Sequence, residues 1–580
     1  MSTINLSKSF AKAVFQGFGG IDRKMTGKGG VSVVDLKNLR VGEGGTLTKR
    51  PGFAPLCDLP TGKLRAICAV SESTVFALIG SSLYEIDTVN GTCTQRASLT
   101  ESDADACFFD YANALHLIDG NEIYAYDGTS FKAVEGYVPL YGKEWAPSGF
   151  GEHLEPMNAL SSHLRLSFKI GDTSPSRLVF PHAVKSIDRV LLNGRTDTLA
   201  NYNLHQTLPI YLELSSTYSK GDVIEVFYTP EAFVLGEARK KIAACGRAEV
   251  FGSGAFGGNP STLALFGGDD PHRIFVSRDV SAEGFSAAKT VYPEIIPVYL
   301  TVNDAVSVNR SDRPICASCK SGGKLAVFTE DTAYLMTPPT KDSPACLTPI
   351  SHTAGCSVKD GAITLQNSPV TLSKNGILHW TPSTLVDDEY TAECISLPIS
   401  ELMDMRSTEG CVAFYNSKNE IWLYRAIDER VWVYNTLKKC WYSFVGFAPE
   451  RMLEIGGRMA FISDSALYVF DESRFYDEAK GSFRPISASL KSDNISFGAP
   501  NRKKRLSRAM ISFSSETELS LTVTDAESTP VETPIRITGA ESIDYFETRL
   551  PCKRSRYYSF TLTQSDGPLS IYALVLSAVK

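Results

Sequence analysis

The sequence has little of what marks a helical, a membrane-spanning or a strongly charged protein. Helical periodicity is scarce, and no stretch approaches the roughly 18 apolar residues of a membrane helix. The 58 Lys and Arg residues nearly balance 65 Asp and Glu, which leaves a net charge of −7. This mild acidity argues against a protein that wraps nucleic acid by bulk charge. The start of the chain lacks the apolar stretch of a secretion signal, so we expect synthesis in a cytoplasm.

The cysteines form neither a disulfide scaffold nor a complete zinc site. All 13 are scattered through 580 residues, whereas disulfide scaffolds are short and rich in cysteine. Cys316 and Cys319 make the one C-x-x-C, and no second pair of cysteine or histidine ligands accompanies it. We therefore expect reduced thiols that pack as small buried hydrophobes, with a metal at Cys316 and Cys319 as the less favoured alternative.

Catalytic motifs are missing as well. The sequence contains no P-loop, no G-x-S-x-G and no H-E-x-x-H. Residues 252–257 match G-x-G-x-x-G, but Asn259-Pro260 and another strand follow where a dinucleotide site needs a helix. Acidic residues at Asp387-Asp388-Glu389 are typical of a solvated turn, with glycoside cleavage as the alternative. The sequence thus predicts no enzymatic activity and no catalytic, metal or cofactor site.

Short β-rich runs recur instead, separated by turn residues. Leu83–Asp87 is followed forty positions later by the similar Ile123–Asp127. The same phrase returns at three later places, which are residues 420–424, 430–435 and 466–471. A repeat of roughly 40–50 residues with four strands is the signature of a β-propeller, because radial stacking buries both faces of each sheet. We predict an all-β fold with a propeller of about six to eight blades.

Two stretches break the repeat and predict additional domains. Residues 150–230 contain strands without the repeated phrase, which indicates a β-sandwich inserted between blades. The last hundred residues show another set of strands, which indicates a C-terminal β-sandwich. The predicted organisation is an extended N-terminal arm (1–60), a first propeller segment (61–149), the inserted domain (150–230), a second propeller segment (231–478) and the C-terminal domain (479–580).

The arm is rich in glycine and charge, and we expect it to lie against its own propeller or a neighbouring subunit. Its most specific phrase runs from Gly44 to Phe53 and follows Asn38-Leu39-Arg40, with tight turns expected at Gly44-Gly45 and Pro51-Gly52. The candidate interface residues are Asn38, Gly44, Gly45, Lys49, Arg50, Pro51, Gly52 and Phe53. A basic run in the C-terminal domain is a second candidate contact patch: Arg502, Lys503, Lys504 and Arg505. Nucleic-acid binding is the alternative for that run.

The arm phrase G-G-T-L-T-K-R-P-G-F resembles the start of tail nozzle (tail tubular protein B) and packaged-DNA stabilisation proteins of short-tailed bacteriophages. The resemblance implies a structural protein of the virion tail, synthesised in the bacterial host cytoplasm. It implies a ring, usually a hexamer, that sits below the portal and adaptor, extends the DNA channel and helps to retain packaged DNA. The implied partners are further copies of the chain, head–tail connector proteins, tail fibres or spikes, and double-stranded DNA that passes without specific binding.

The sequence is also compatible with other functions. A propeller rich in aromatic residues is also compatible with glycan binding or glycan cleavage, as in a receptor-binding tail component. A component of the tip of a longer tail or of a gene transfer agent is a third interpretation, because large nozzles carry several insertions and only one is evident here. A propeller scaffold within a cell is a fourth.

Overall fold

The computed structural model describes residues 10–16, 18–22, 33–252, 261–308, 313–340, 343–383, 389–403, 410–525, 530–535, 544–550 and 552–579. Within these ranges the chain is built almost entirely of strands and has two α-helices. The predicted all-β propeller is confirmed. Six four-stranded sheets, together with the first four strands of a nine-stranded sheet, make seven blades.

The N-terminal segment is a run of short strands that are distributed over three sheets. β1 pairs with the last strand of the chain, β2 joins blade 6 to the C-terminal domain, and β5 becomes the outer strand of blade 7. The segment predicted as an arm therefore lies, over its described residues, against its own propeller and C-terminal domain. The strands are β1 (Phe10–Gln16), β2 (Val33–Lys37), β3 (Leu39–Val41), β4 (Leu47–Lys49) and β5 (Gly52–Asp58).

Two complete blades follow the N-terminal segment. Each is a meander of antiparallel strands joined by tight turns, as the alternation of apolar and polar residues predicts. Blade 1 has β6 (Leu64–Ala69), β7 (Thr74–Ile79), β8 (Ser82–Asp87) and β9 (Thr92–Ser98). Blade 2 has β10 (Cys107–Tyr111), β11 (Ala114–Ile118), β12 (Ile123–Tyr126) and β13 (Phe131–Ala133).

The inserted domain is formed by a five-stranded and a three-stranded sheet that enclose their own apolar core. Its first strand begins at Leu140, earlier than the predicted boundary at residue 150. The strands are β14 (Leu140–Trp145), β15 (Leu164–Lys169), β16 (Arg177–Val179), β17 (Val184–Leu192), β18 (Arg195–Thr196), β19 (Tyr202–His205), β20 (Tyr211–Leu214) and β21 (Val223–Pro230). Helix α1 (Ala232–Ala243) leads back to the propeller.

Blades 3, 4 and 5 resume the four-stranded pattern. Blade 3 has β22 (Arg247–Phe251), β23 (Thr262–Phe266), β24 (Arg273–Val276) and β25 (Ala305–Ser307), with helix α2 (Ala282–Lys289) before its last strand. Blade 4 has β26 (Ala317–Ser321), β27 (Lys324–Phe328), β28 (Ala333–Thr337) and β29 (Cys346–Ser351). Blade 5 has β30 (Ala362–Leu365), β31 (Ser368–Ser373), β32 (Gly376–Pro382) and β33 (Tyr390–Cys394).

Blades 6 and 7 complete the circle. Blade 6 has β34 (Cys411–Tyr415), β35 (Glu420–Arg425), β36 (Arg430–Asn435) and β37 (Cys440–Val445). Blade 7 has β38 (Arg451–Ile455), β39 (Arg458–Ser463) and β40 (Ala466–Asp471), and β5 supplies its fourth strand. The first strands of successive blades contact one another around the circle, and β38 contacts β6. The N-terminal strand thus closes the propeller.

The C-terminal domain is a sandwich of two sheets, one of which is continuous with blade 6 through β2. The hairpin β41 (Tyr476–Ala479) and β42 (Ser482–Pro485) leads into this domain. Its strands are β43 (Ala488–Ser492), β44 (Lys504–Ser515), β45 (Leu519–Asp525), β46 (Pro530–Ile535), β47 (Asp544–Arg549), β48 (Arg554–Ser555), β49 (Tyr558–Gln564) and β50 (Leu569–Val579). One apolar core runs through this domain, the N-terminal strands and blades 5 to 7.

Candidate functional site

The arm phrase forms a buried junction, which we call the latch and define as Asn38, Lys49, Arg50, Gly52 and Phe53 together with Asp477. Strands β3 and β4 pair with Leu39 opposite Lys49, and the turn between them contains Gly44 and Gly45 at φ of 64° and 76°. Glycine adopts this left-handed region without steric cost, which explains the Gly-Gly pair. The tight turn expected at Pro51-Gly52 does not form, because β5 begins at Gly52 and Pro51 carries the chain from the hairpin directly into this strand.

Arg50 is the centre of the latch. The residue is only 1% exposed. Its guanidinium donates to Asp477 Oδ1 at 2.8 Å and Oδ2 at 2.6 Å. The remaining N–H groups donate to Asn38 Oδ1 and to the carbonyls of Pro51 and Val445, at 2.9 to 3.0 Å. Every guanidinium donor therefore has an acceptor, which is the condition under which a buried charge is tolerated.

Asn38 and Lys49 extend the latch to the C-terminal domain. Asn38 has a φ of 55° and donates through Nδ2 to the Ser487 carbonyl at 2.8 Å. Its Oδ1 also accepts from the Val445 amide at 2.9 Å. Lys49 Nζ donates to the Ile486 carbonyl at 2.8 Å, and burial lowers the pKa of Lys49 to about 8.

Gly52 and Phe53 fix the latch to blade 7. A Cβ at Gly52 would lie 2.0 Å from the carbonyl oxygen of Tyr476, so only glycine allows β5 to approach the β41 strand this closely. The Phe53 ring packs against four aromatic rings at centroid distances of 5.0 to 5.7 Å. These rings are Phe447, Phe461, Tyr468 and Phe470. Edge-to-face packing of this kind stabilises a core beyond the area it buries.

The latch therefore joins blade 6, blade 7, the β41–β42 hairpin and the C-terminal domain of one chain. Lys49, Arg50 and Phe53 are buried by residues of their own chain, so these side chains act in the cohesion of the subunit itself. Sequence reasoning selected Arg50 but missed its partner Asp477, which lies 427 positions away. No local pattern around Asp477 marks it as the acceptor.

The basic run divides into exposed and buried members. Arg502, Lys503 and Arg505 are exposed at the start of β44. Lys504 is buried, and its Nζ donates to the carbonyls of Ser496 and Ala499 at 2.5 Å. The contact patch that the sequence predicts is thus limited to three exposed cations, while Lys504 holds the loop that precedes β44.

A small pocket of about 220 Å³ lies beside the latch. Its rim carries Arg40 and Lys418, which both donate to Glu472, at 3.1 and 2.7 Å. Desolvation opposes ionisation of Glu472, but the hydrogen bonds from the two cations together lower its pKa to about 2. Trp422 in the pocket floor is only 4% exposed and packs against Phe444 and Phe470, so it offers no open ring face for sugar stacking.

The remaining candidates from the sequence lie partly outside the described residues. Asp387, Asp388 and the G-x-G-x-x-G residues after Gly252 lie outside the described residues, and Glu389 is exposed. Cys319 is buried in β26 and Cys316 is half-buried just before it. In the described part of the chain, no group of three or more His, Cys, Asp and Glu residues could hold a metal ion. No helix within the described ranges has both the length and the hydropathy to span a bilayer.

No family model and no curated protein matches the chain. Among solved structures, PorZ, a surface component of the type-IX secretion system of Porphyromonas gingivalis, is 9% identical over 75% of this chain and 44% of PorZ, with a TM-score of 0.30. The WD40 domain of SCAP from fission yeast is 9% identical over 73% of this chain and 98% of that domain, with a TM-score of 0.30. The extracellular domain of a hybrid two-component system from B. thetaiotaomicron is 10% identical over 92% of this chain and 82% of that domain, with a TM-score of 0.28. These similarities concern the propeller-like fold alone.

Proposed function

We propose that the chain is a structural virion protein that forms a ring-shaped tail nozzle below the portal and adaptor of a short-tailed bacteriophage. The ring, of six copies, would extend the DNA channel, help to retain packaged DNA and let it pass at ejection. In this proposal the protein is located in the virion tail and has no enzymatic role. The main observation in favour of this proposal is the sequence from Asn38 to Phe53, which resembles that of the nozzle family and leads directly into a propeller.

The cohesion of the subunit supports this proposal. A wall around pressurised DNA has to resist deformation, and close-packed interiors transmit strain rather than yield to it. In this chain the latch ties the N-terminal strands to blades 6 and 7, and β2 makes one sheet out of blade 6 and the C-terminal domain. Domains that could otherwise move against one another are therefore held by shared sheets and buried hydrogen bonds.

The charge of the chain also agrees with a conduit. Each phosphate that a protein neutralises adds salt-sensitive affinity for DNA and hinders sliding. A net charge of −7 disfavours such binding over the surface as a whole. Arg502, Lys503 and Arg505 form a local exception, and we assign them to contact with an acidic surface of a neighbouring subunit or connector protein.

Mass measurement of the purified protein, alone and with adaptor rings, tests the assembly. We expect a species with six times the monomer mass, at the latest when adaptor rings are added, and we expect the protein in purified virions. A protein that stays monomeric in both settings and is absent from virions contradicts the proposal. Labelling at the distal end of a long tail would instead favour a tail-tip component.

A charge-reversal variant tests the contact patch. Changing Arg502, Lys503 and Arg505 to Glu is expected to weaken adaptor binding or ring formation at least tenfold. The matched control reverses three exposed lysines outside the patch, Lys132, Lys220 and Lys240, which have side chains 72 to 76% exposed. Equal behaviour of the two variants would remove the patch from the proposal.

Glycan binding is the alternative function to be measured on the same preparation. Signal on a glycan array above a denatured control, with or without release of reducing sugar, would favour a receptor-binding or glycan-cleaving propeller. Absence of such signal together with ring formation supports the nozzle.

A further inference from the structure

A cavity near the propeller axis is lined with charged residues that the latch and the contact patch do not involve. Residues at or just before the first strands of six blades enclose it, and its volume is about 280 Å³. Arg65, Arg247, Lys359 and Arg451 line it, together with the carboxylates of Asp105 and Asp360. Four cations thus face two carboxylates within a chain whose net charge is negative.

Arg65 and Arg247 are built into the wall of the cavity. Arg65 is 6% exposed and donates to the carbonyls of Ala104 at 3.1 Å, Gly80 at 3.1 Å and Asp119 at 2.5 Å. Arg247 donates through Nη1 to the carbonyls of Ile315 and Cys316 in front of blade 4. Bonds to backbone carbonyls fix the guanidinium groups without neutralising their charge.

The carboxylates compensate the cations only partly. Lys359 Nζ lies 2.5 Å from Asp105 Oδ1, and Arg247 Nε lies 3.6 Å from Asp105 Oδ2. Arg247 Nε also lies 3.1 Å from Asp360 Oδ1, yet this buried N–H is not aligned with any acceptor among the described residues. Arg451 donates to the carbonyl of Glu450, which again brings no negative charge. Among the described residues, Arg65 and Arg451 therefore bond to backbone carbonyls alone, and an oxyanion in the cavity would supply the negative charge that these two cations lack.

We propose that this cavity binds a small phosphate-type oxyanion, either free phosphate or the phosphate group of a small monoester. Arginine presents planar arrays of donors that match phosphate oxygens, and lysine adds a point charge. One ligand would then bridge cations that come from blades 1, 3 and 7 and from the segment before blade 5. The cavity is too small for a DNA duplex, so the inference is independent of the proposed conduit.

Thermal unfolding and calorimetry with sodium phosphate test this site in the intact chain. Phosphate is expected to raise the Tm above that in sodium chloride at equal ionic strength, because a ligand that binds only the folded state stabilises it. Glycerol phosphate is tested in parallel with free phosphate. If it binds as tightly as free phosphate does, the site accepts phosphate monoesters. No difference between phosphate and chloride overturns the proposal.

Variants of the rim separate specific binding from general screening. Lys359→Gln and Arg451→Gln leave the buried arginines in place and are expected to weaken phosphate binding roughly tenfold each, while their Tm in chloride stays close to that of the wild type. Arg458→Gln, an exposed change in β39 outside the cavity, is the control and is expected to bind as the wild type does. Retention of full affinity in both rim variants contradicts the assignment.

Discussion

At the scale of single residues, we expect the stability of the chain to depend strongly on Arg50. Its bidentate pair with Asp477 is buried, and three further hydrogen bonds go to Asn38, Pro51 and Val445. Replacement by methionine, Arg50→Met, leaves the Asp477 carboxylate buried without its cation. Removal of one partner of such a pair destabilises a protein by about 3–5 kcal/mol. We expect a loss of this size in the free energy of unfolding measured with urea.

The matched control is Arg40→Met, which breaks a pair with Glu472 at the edge of the same region. That pair is partly exposed, with side chains 22% and 54% exposed. Exposed pairs contribute less than about 1 kcal/mol, so this variant is expected to stay close to the wild type. Equal losses for the two variants would show that the latch has no special role.

Gly52 sets the distance between β5 and the β41 strand. The Cβ of Gly52→Ala would meet the Tyr476 backbone, which cannot rotate away, so we expect a destabilisation of about 3 kcal/mol or more. Gly44→Ala is the control, because it has a φ of 64° but no atom within 4 Å of the added Cβ. Backbone strain alone is expected to cost about 1 kcal/mol there. Urea unfolding of both variants measures the difference, and a Gly52→Ala loss no larger than that of Gly44→Ala contradicts the close approach.

Lys49 gives the latch a dependence on pH. Burial lowers its pKa from 10.5 to about 8, so above pH 8 the unfolded chain binds this proton more strongly than the folded chain. Stability contributed by Lys49 therefore rises with pH between about 8 and 10.5. The wild type is expected to gain about 2 kcal/mol over Lys49→Met between pH 7.5 and pH 10. Urea unfolding across this range measures the gain, with Lys220→Met, a change at a lysine whose side chain is 72% exposed, as the control.

At the scale of elements, we expect the folding of blade 7 to depend on β5, the strand that completes this blade. A chain without residues 1–58 lacks β5 and the latch and leaves the β40 edge unpaired. Exposed strand edges promote aggregation, so we expect this variant to lose its cooperative unfolding transition and to aggregate in size-exclusion chromatography. A chain without residues 1–32 keeps β2 to β5 and is expected to melt cooperatively at a somewhat lower temperature.

A peptide of residues 33–59 should rescue the shorter chain when it is added during refolding, since it supplies β2 to β5. Recovery of the cooperative transition would confirm that the defect is the missing strands. A chain without residues 1–58 that melts like the chain without residues 1–32 would show that blade 7 does not need β5.

The sequence predicts well those strands that follow from the local alternation of apolar and polar residues. The phrases at Leu83–Asp87 and Ile123–Asp127 fall on β8 and β12, the third strands of blades 1 and 2, and hairpin turns connect each to the strand before it. Local patterns do not predict the closure by β5, because Phe53 pairs with Phe470, which is more than 400 positions away. The large separation along the chain is also why the sequence does not indicate Asp477 as the partner of Arg50, although Arg50 itself is evident in its motif. Helix α1 has three buried residues and α2 has one, so the apolar pattern of both helices is weak.

At the scale of the whole molecule, the sheets link domains that the sequence separates. The predicted boundary at residue 479 divides the propeller from the C-terminal domain, but β2 makes one nine-stranded sheet from blade 6 and four strands of that domain. A shared apolar core accompanies this sheet. The inserted domain differs, because its two sheets enclose a core of their own.

This organisation predicts which domains lose stability when a core residue of one domain is truncated. Leu521 lies in the shared core and Leu166 in the core of the inserted domain, and both are fully buried. Truncation of either to alanine is expected to destabilise by about 2–5 kcal/mol. Hydrogen exchange measured by mass spectrometry should then show Leu521→Ala lowering protection in blades 6 and 7 as well as in the C-terminal domain. Leu166→Ala, the matched control, should lower protection in the inserted sandwich and leave blades 6 and 7 unchanged, because contiguous cooperative units open together. An effect of Leu521→Ala confined to the C-terminal domain would mean that the continuous sheet and the shared core do not couple this domain to the propeller.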